Sequence, residues 1–275
     1  MRTSLKEEYG LAILGPMPRK QDRKRVPRRL VAVGVLVLLA GTIAAGAQLW
    51  YQTTDFFCLY HGGRSLLLGR DPYNEVWWGS VTGGLHPDPR GGLSQSSCPG
   101  RFGYPLWTAV ALLPFGLLPL ESAASLWEAV SIGATLAGTW AAWRAARGPR
   151  RLAPLFAVLV LTSQPFWLLI VSGQMTGVML GLAGGLALLV ARKRDWGAGV
   201  ALAALAVKPQ IVVLTLPVFA FRALMGRRRR LISAVLATGG AMLLVPMLFV
   251  FSWPVEWLGE ITGRRLRVVA LLPTA

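Results

Sequence analysis

Long apolar runs alternate with short basic clusters along this chain. The first run, residues 30–50, contains no charged residue. At about 1.5 Å per residue, a helix of that length crosses the roughly 30 Å hydrocarbon layer of a membrane. The run is longer than the apolar core of a signal peptide, and no convincing cleavage site follows it. The pattern therefore predicts an uncleaved membrane helix.

Further apolar runs occupy most of the chain after residue 104. They are residues 105–143, 152–171, 177–191, 196–224 and 231–251. The first of these has room for two helices with a turn at Pro119, and Pro165 and Pro209 interrupt two of the others. The pattern predicts the all-α fold class, as a polytopic transmembrane helical protein with about seven membrane segments.

A long polar stretch, residues 51–104, separates the first two runs and carries its own apolar segment. Apolar residues recur at helical spacing over residues 55–68, with Thr54 or Asp55 as the N-cap and Gly69 as the stop. This predicts a helix that lies along the membrane interface and does not cross it.

Both cysteines of the chain, Cys58 and Cys98, fall in this polar stretch, on either side of an irregular, glycine- and proline-rich loop predicted at residues 83–92. In an oxidising compartment, a disulfide that closes a loop of about 40 residues would contribute roughly 3–4 kcal/mol. Two free thiols are the equal alternative. The sequence leaves both open.

Composition and charge support a membrane protein and give it an orientation. Hydrophobic residues make up 54% of the chain and charged residues only 15%, which excludes an ordinary soluble domain. The net charge of +17 comes from lysine and arginine clusters between apolar runs, which is typical of cytoplasmic loops. Without a recognition motif, no nucleic acid is expected as a partner. Residues 1–29 are predicted to be a basic cytoplasmic tail, and residues 261–275 a C-terminal tail.

The clusters allow two topologies. If every apolar run crosses once, Arg144 and Arg151 lie outside, against the positive-inside rule. If all basic clusters between residues 144 and 230 are cytoplasmic, some runs must be hairpins or re-entrant. Gln174 and Lys208 would then face the same outer side as Asp55.

Three polar residues at or within the apolar runs are candidates for chemistry. A lysine at the centre of a membrane helix costs on the order of 2.5–3.5 kcal/mol, so Lys208 is a functional candidate, with snorkelling to an interface as the alternative. Gln174 is a weaker candidate, because an ordinary polar turn explains it nearly as well. Asp55, where the chain leaves the membrane, is either an interfacial anchor or the carboxylate of a membrane enzyme.

These residues occur within a set of short motifs that resembles the membrane glycosyltransferases of the GT-C class. The motifs are Asp55, Gly69-Arg70-Asp71-Pro72-Tyr73, Tyr104-Pro105-Leu106, Gly173-Gln174 and Lys208-Pro209-Gln210. Over roughly residues 30–260 the chain is most similar to glycosyltransferase family 87, which includes mycobacterial mannosyltransferases of phosphatidylinositol mannoside assembly. The resemblance implies a GT-C-like transmembrane module over residues 30–260 with an outer loop at residues 51–104.

The resemblance also implies roles for particular residues. An Asp at the start of the first outer loop is the general base of that family, and Asp55 occupies this position. A carboxylate there can take the proton of an attacking acceptor hydroxyl. The leaving polyprenyl phosphate needs a cation, for which Lys208 is the candidate and Arg64 or Arg70 the alternatives. Further candidates for substrate binding are Gln174, Asp71, Tyr73, Tyr104 and Gln210.

The expected function is transfer of a hexose, with mannose as the first candidate, from a polyprenyl phosphate to a glycolipid or glycan on the outer face of a bacterial cytoplasmic membrane. The expected partners are membrane lipid, this donor and this acceptor. No cofactor and no metal site are expected, since His61 and His86 lack partners at ligand spacing, and the need for a divalent ion is left open. The alternatives are a non-catalytic transporter or lipid-handling membrane protein, and an inactive truncated fragment.

Overall fold

The computed structural model describes residues 54–87, 93–95, 98, 100–209 and 225–270, together with residues 212–213, 217–219 and 221. The expected basic tail, the first membrane helix at residues 30–50 and Gln210 lie outside the described residues.

Helices dominate the described chain. They are α1 (Asp55–Leu67), α2 (Glu75–Thr82), α3 (Leu106–Ala111), α4 (Leu113–Gly116), α5 (Leu120–Ala145), α6 (Ala153–Leu161), α7 (Gln164–Val171), α8 (Thr176–Ala191), α9 (Asp195–Ala204), α10 (Arg229–Leu244) and α11 (Trp253–Ala270). Short 3-10 turns precede α6 and follow α9 and α10. The helical fold class is as predicted, and α11 continues through residue 261, where the sequence pattern predicted the start of a tail.

One short pair of strands corrects the prediction of an irregular loop. Strands β1 (Leu85–Pro87) and β2 (Leu93–Gln95) pair antiparallel, with His86 opposite Ser94. The hydrophobic pattern could not indicate them, because strands of three residues are too short to show an alternation.

Helix α1 has the bounds that its apolar pattern predicts, but it is a core helix. Thr54 is the N-cap, and Gly69 ends the segment with the left-handed φ of 65° that glycine adopts easily. Phe57 packs in one hydrophobic cluster, and Phe56 and Leu59 pack in another. A helix buried on both of these sides packs mainly against protein, and its predicted position along a membrane interface stays a prediction.

The cysteines form a disulfide, which is one of the two alternatives that the sequence left open. Cys58 on α1 is bonded to Cys98, with their Cα atoms 5.4 Å apart. The indole N–H of Trp78, on α2, donates to the carbonyl oxygen of Cys98 at 3.2 Å. The bond and the hydrogen bond tie residue 98 to both helices of the polar stretch.

The region 105–143 contains one long helix, and the prediction of two membrane-length helices there is wrong. Pro119 does mark the turn, as the N-cap of the 26-residue α5. Helices α3 and α4, however, have only six and four residues and pack against α1. A Cβ on Gly116 would lie 2.9 Å from the backbone nitrogen of Arg64, so the two backbones are nearly in contact. Because α3 and α4 are too short to cross, this region supplies one crossing at most.

Close approach of small residues sets the direction of α8 relative to α5. A Cβ on Gly177 would lie 2.7 Å from the carbonyl oxygen of Ser131, and one on Gly138 would lie 2.2 Å from that of Leu180. The early residues of α8 therefore meet the middle of α5, and later residues meet later ones. The two helices run parallel, which places both of their C-termini at the same end of the molecule.

The basic clusters gather at that end, which is called the basic end below: residues 144–151, 192–194 and 227–230. Helix α9 starts directly after the second cluster, and Arg228 pairs with its Asp195 at 3.4 Å. A Cβ on Gly199 would lie 2.5 Å from the carbonyl oxygen of Leu231, so α10 begins beside the start of α9. The opposite end carries α1. A shared end for these clusters is compatible with the second of the two topologies considered from the sequence, and the placement of that end in a membrane stays a prediction.

Among the described residues, one helix has both the length and the apolar composition to cross a membrane, Arg229–Leu248. The segments Arg150–Leu161 and Gln164–Val171 would together make another, bent by 54° at the break near Pro165. Helix α8 and the segment Asp195–Val207 are apolar but shorter. How many of the predicted segments outside residues 105–143 cross a membrane therefore stays a prediction.

Candidate functional site

Asp55 is the first residue of α1, and its surroundings come from distant parts of the chain. Its backbone N–H donates to the carbonyl oxygen of Ser172 at 2.9 Å. The side chain is half-buried. An acidic residue in the first turn also lies at the positive end of the helix dipole. The carboxyl group is thus held at one edge of the core, beside the turn between α7 and α8.

That turn, residues 172–176, is held against α1 and α5. Gly173 has a φ of 60°, and a Cβ added to it would lie 2.9 Å from the Cβ of Thr54. Both the backbone conformation and the space require glycine here. The indole N–H of Trp127, on α5, donates to the carbonyl oxygen of Gly173 at 3.0 Å. These contacts hold the turn against the start of α1, next to Asp55.

Lys208 reaches the same turn from the end of α9. Its Nζ donates to Oγ1 of Thr176 at 3.2 Å, and this hydroxyl donates in turn to Oε1 of Gln174 at 3.1 Å. The lysine is half-buried, and the preceding Val207 packs against the cluster that contains Phe56. The lysine head group is thus hydrogen-bonded within the protein, and snorkelling to an interface stays the alternative. The predicted neighbours Asp55, Gln174 and Lys208 do come together.

The charges of this site act on each other. Burial raises the pKa of the Asp55 carboxyl above its ordinary value, and the positive charge of Lys208 opposes that rise. A half-buried carboxylate can accept a proton, and a neighbouring cation backed by a hydroxyl and an amide can bind an anion. The arrangement therefore combines a carboxylate that can act as a base with a cation that can stabilise an anionic leaving group.

The sequence pattern missed two members of the site. Thr176 bonds directly to Lys208, and nothing distinguishes a threonine in a turn from its neighbours. Glu128, on α5, is only 8% exposed, and its Oε2 has no hydrogen-bond partner among the described residues. Glu128 lines a small cavity together with Thr54 and Gly173. An acidic residue in an apolar run was a signal that could have singled it out.

Asp71, Tyr73 and Tyr104 form a second group, which braces the polar stretch. Oδ1 of Asp71 accepts from the backbone N–H of Tyr73 at 2.8 Å, and the buried Tyr73 hydroxyl donates to the carbonyl oxygen of Tyr104 at 2.7 Å. Burial and the nearby Glu256 carboxyl raise the pKa of Asp71, although the hydrogen bond from Tyr73 and the charge of Arg101 oppose the rise. Burial also raises the pKa of Tyr73. These hydrogen bonds of Asp71 and Tyr73 connect parts of the polar stretch to each other.

The structure does not bring Arg64 and Arg70 to Asp55. Arg64 lies nine residues further along α1, about 13 Å along the axis, and its Nη1 donates to the carbonyl oxygen of Gly116 at 3.0 Å. The Arg70 guanidinium lies over the ring of Trp77, 5.4 Å from its centroid. Of the three cations considered for an anionic leaving group, Lys208 alone lies beside Asp55.

Comparison with known proteins places the chain among the glycosyltransferases. The sequence model of glycosyltransferase family 87 matches residues 102–274, which is well over half of the chain. The chain belongs to this family, and it is therefore a glycosyltransferase that acts on a sugar donor and an acceptor. No match was found among curated proteins or among solved structures.

The matched residues cover only part of the candidate site. They include Gln174, Thr176 and Lys208 but begin after α1, so Asp55 lies outside them. Of the functional hypotheses considered from the sequence, family membership supports the enzyme. Members of the family are typically membrane proteins, and the apolar helix Arg229–Leu248 agrees with that class.

Proposed function

We propose that the protein transfers a hexose, with mannose as the first candidate, from a polyprenyl phosphate to a glycolipid or glycan acceptor. The reaction takes place on the outer face of a bacterial cytoplasmic membrane, which the chain crosses several times from a cytoplasmic N-terminus. One observation carries the proposal: the carboxyl of Asp55 lies within electrostatic reach of Lys208, whose head group is held by Thr176.

In the proposed reaction, Asp55 accepts the proton of the acceptor hydroxyl while that oxygen attacks the anomeric carbon of the donor sugar. A new bond forms between the acceptor oxygen and the anomeric carbon, and the bond from this carbon to the phosphate oxygen breaks. The electron pair of that bond leaves with the polyprenyl phosphate. Lys208 stabilises the resulting charge, and Gln174 orients the hydroxyl of Thr176 that holds the lysine.

The distribution of charge supports the proposed orientation. All three basic clusters between residues 144 and 230 lie at the basic end, and Asp55 lies at the other. Under the positive-inside rule the basic end faces the cytoplasm, so the candidate site faces outward. A lipid-linked donor suits this position, because its polyprenyl chain stays in the membrane while its phosphate lies at the surface.

The role of Asp55 can be tested with the purified full chain and radiolabelled polyprenyl-phosphate mannose. Asp55→Asn keeps the shape of the side chain and removes its basicity, so we expect transfer to fall by a factor of about 100 or more. Thermal unfolding should change little. Asp195→Asn, at the basic end, is the control and should keep its activity. Full transfer by Asp55→Asn would show that another group is the base.

The donor class needs a separate measurement. Wild-type protein is supplied with polyprenyl-phosphate mannose, polyprenyl-phosphate glucose or a nucleotide-activated mannose. We expect transfer from the lipid-linked mannose only. Transfer from the glucose compound would change the sugar and keep the donor class, whereas transfer from the nucleotide sugar alone would contradict the proposed donor.

A further inference from the structure

A second cavity lies far from the candidate site, between α5 and α6. Its volume is about 280 Å³, close to the lower limit of small-molecule pockets, and its lining residues come from the end of α5 and the start of α6. Trp143 lies 16 residues after Trp127 on α5, so the cavity is about 24 Å along the helix from the indole that contacts Gly173. This is the basic end.

The walls of the cavity are aromatic and apolar. The rings of Trp143 and Phe156 lie 4.9 Å apart with 30° between their planes, and Pro154 and Ala157 continue the surface along α6. Trp140, which also lines the cavity, is 48% exposed. A half-exposed tryptophan at the end of a membrane helix is typical of the interfacial region, where one side of the ring meets acyl chains.

Two arginines border this cavity. Arg150 lines it directly, and the guanidinium of Arg144 lies 5.4 Å from the centroid of the Trp140 ring. The connecting loop is braced against Trp143, whose indole N–H donates to the carbonyl oxygen of Pro149 at 3.2 Å. The position of Arg150 is therefore coupled to the aromatic wall.

No acidic residue of the chain lies between Glu128 and Asp195, so the cluster at residues 144–151 has no counter-charge in its own helices. Arg147 takes a φ of 56°, a conformation in which glycine is normally preferred. Retaining a cation at that position adds positive charge to the helix C-terminus, where it is electrostatically favourable. Neither of the two ion pairs seen in the described part of the chain involves this cluster, so it presents a positive surface beside an apolar cavity.

We propose that this cavity binds one anionic phospholipid of the cytoplasmic leaflet. The phosphate of the head group pairs with Arg150 and Arg144, and part of an acyl chain lies along Phe156 and Ala157. A basic pocket between membrane helices on the cytoplasmic side has the charge and the apolar surface that such a lipid requires. The inference uses the membrane orientation proposed above, but it does not depend on the transfer chemistry.

The test measures how much lipid the purified full chain retains, by native mass spectrometry from detergent that contains phosphatidylglycerol or phosphatidylcholine. We expect one phosphatidylglycerol to be retained and phosphatidylcholine to be lost. Replacing Arg150 or Arg144 by glutamine should weaken retention about fivefold each, equivalent to ~1 kcal/mol for each arginine. The matched control is Arg192→Gln, at another cluster of the basic end, which should retain lipid like the wild type.

Three results would overturn the proposal. If phosphatidylcholine were retained as well as phosphatidylglycerol, the net charge of the lipid would not determine binding. An equal loss in Arg192→Gln would indicate a diffuse positive surface in place of a site. Displacement of the lipid by millimolar inorganic phosphate would indicate a phosphate site that does not need the acyl chain. The lipid-retention experiment contains no sugar donor. Its outcome therefore does not depend on whether the protein is active in the transfer assay.

Discussion

At the scale of single residues, the candidate site depends on how the half-buried Lys208 is accommodated. An unpaired ammonium group in an apolar segment is costly, and here Thr176 accepts its hydrogen bond while Gln174 accepts from Thr176. The same lysine lowers the pKa of Asp55 against the effect of burial. In the proposed mechanism, one cation would therefore have two effects: it favours the deprotonated form of Asp55 and stabilises the leaving phosphate.

This coupling predicts a shift in the pH profile of transfer. Asp55 must be deprotonated to accept a proton, so activity falls on the acid side as its carboxyl becomes protonated. Lys208 lowers the pKa of Asp55; without it that pKa rises, and protonation occurs at higher pH. We expect Lys208→Met to move the acid limb of kcat/KM to higher pH and to raise KM for the donor.

Lys208→Arg keeps the charge and is the matched control, with an acid limb near that of the wild type. The measurement is kcat/KM for transfer across the pH range in which the protein stays folded. An acid limb that does not move in Lys208→Met would remove the electrostatic link between the two residues.

At the scale of helices, small residues determine how α5 and α8 pack. Gly138 faces the backbone of α8, with the carbonyl oxygen of Leu180 only 2.2 Å from where a Cβ would stand. Such close contact lets backbones pack without large side chains between them, as is common for helices in membranes. Because α8 begins directly after the turn of residues 172–176, its packing on α5 also positions that turn.

Gly138→Ala should therefore destabilise the protein, while Gly133→Ala on the same helix should not. The first substitution forces the helices apart, with an expected loss of about 1–3 kcal/mol. At Gly133 an added Cβ meets nothing within 4 Å, so the change should stay within about 1 kcal/mol and favour the helix. Thermal unfolding in one detergent compares the two variants. Equal melting temperatures would show that α5 and α8 are not closely packed.

At the scale of the whole molecule, two short helices determine the topology. Since α3 and α4 are short and fold against α1, α5 alone leads from the end with Asp55 to the basic end. The later helices then run back and forth between these two ends. The clusters at residues 192–194 and 227–230 therefore lie at the same end as the cluster at residues 144–151. With one long helix between residues 105 and 143, all three basic clusters lie at the same end, as the positive-inside rule requires of cytoplasmic clusters.

Labelling of introduced cysteines can test this arrangement in intact bacterial cells. The native cysteines are bonded to each other and should not react with maleimide. Val76, on α2, is 84% exposed, and Arg151 and Arg192 are exposed at the basic end. An impermeant maleimide should label Val76→Cys in intact cells and label Arg151→Cys and Arg192→Cys only after permeabilisation. Labelling of all three in intact cells would contradict the orientation.

The amino-acid sequence by itself determined which segments are helical and where several of them end. Apolar periodicity, Pro119 and Gly69 are local signals, and α1 and α5 begin or end where those residues indicate. Polar residues at or within the apolar runs, together with the family resemblance, indicated Asp55, Gln174 and Lys208. Local signals could not distinguish the short α3 and α4 from a membrane helix, because an apolar run has the same composition whether lipid or protein surrounds it.

Only the tertiary structure decided which of the candidate residues meet. Asp55, Gln174 and Lys208 belong to three segments far apart in the chain, and their proximity results from the fixed turn at Gly173 and from the packing of α8 and α9. Arg64, although much nearer to Asp55 in sequence, lies further along the same rigid helix and bonds elsewhere. Within one helix, residues that are further apart in sequence are further apart along the axis. The candidate site depends instead on which helix ends pack together, and no single segment of the sequence specifies that packing.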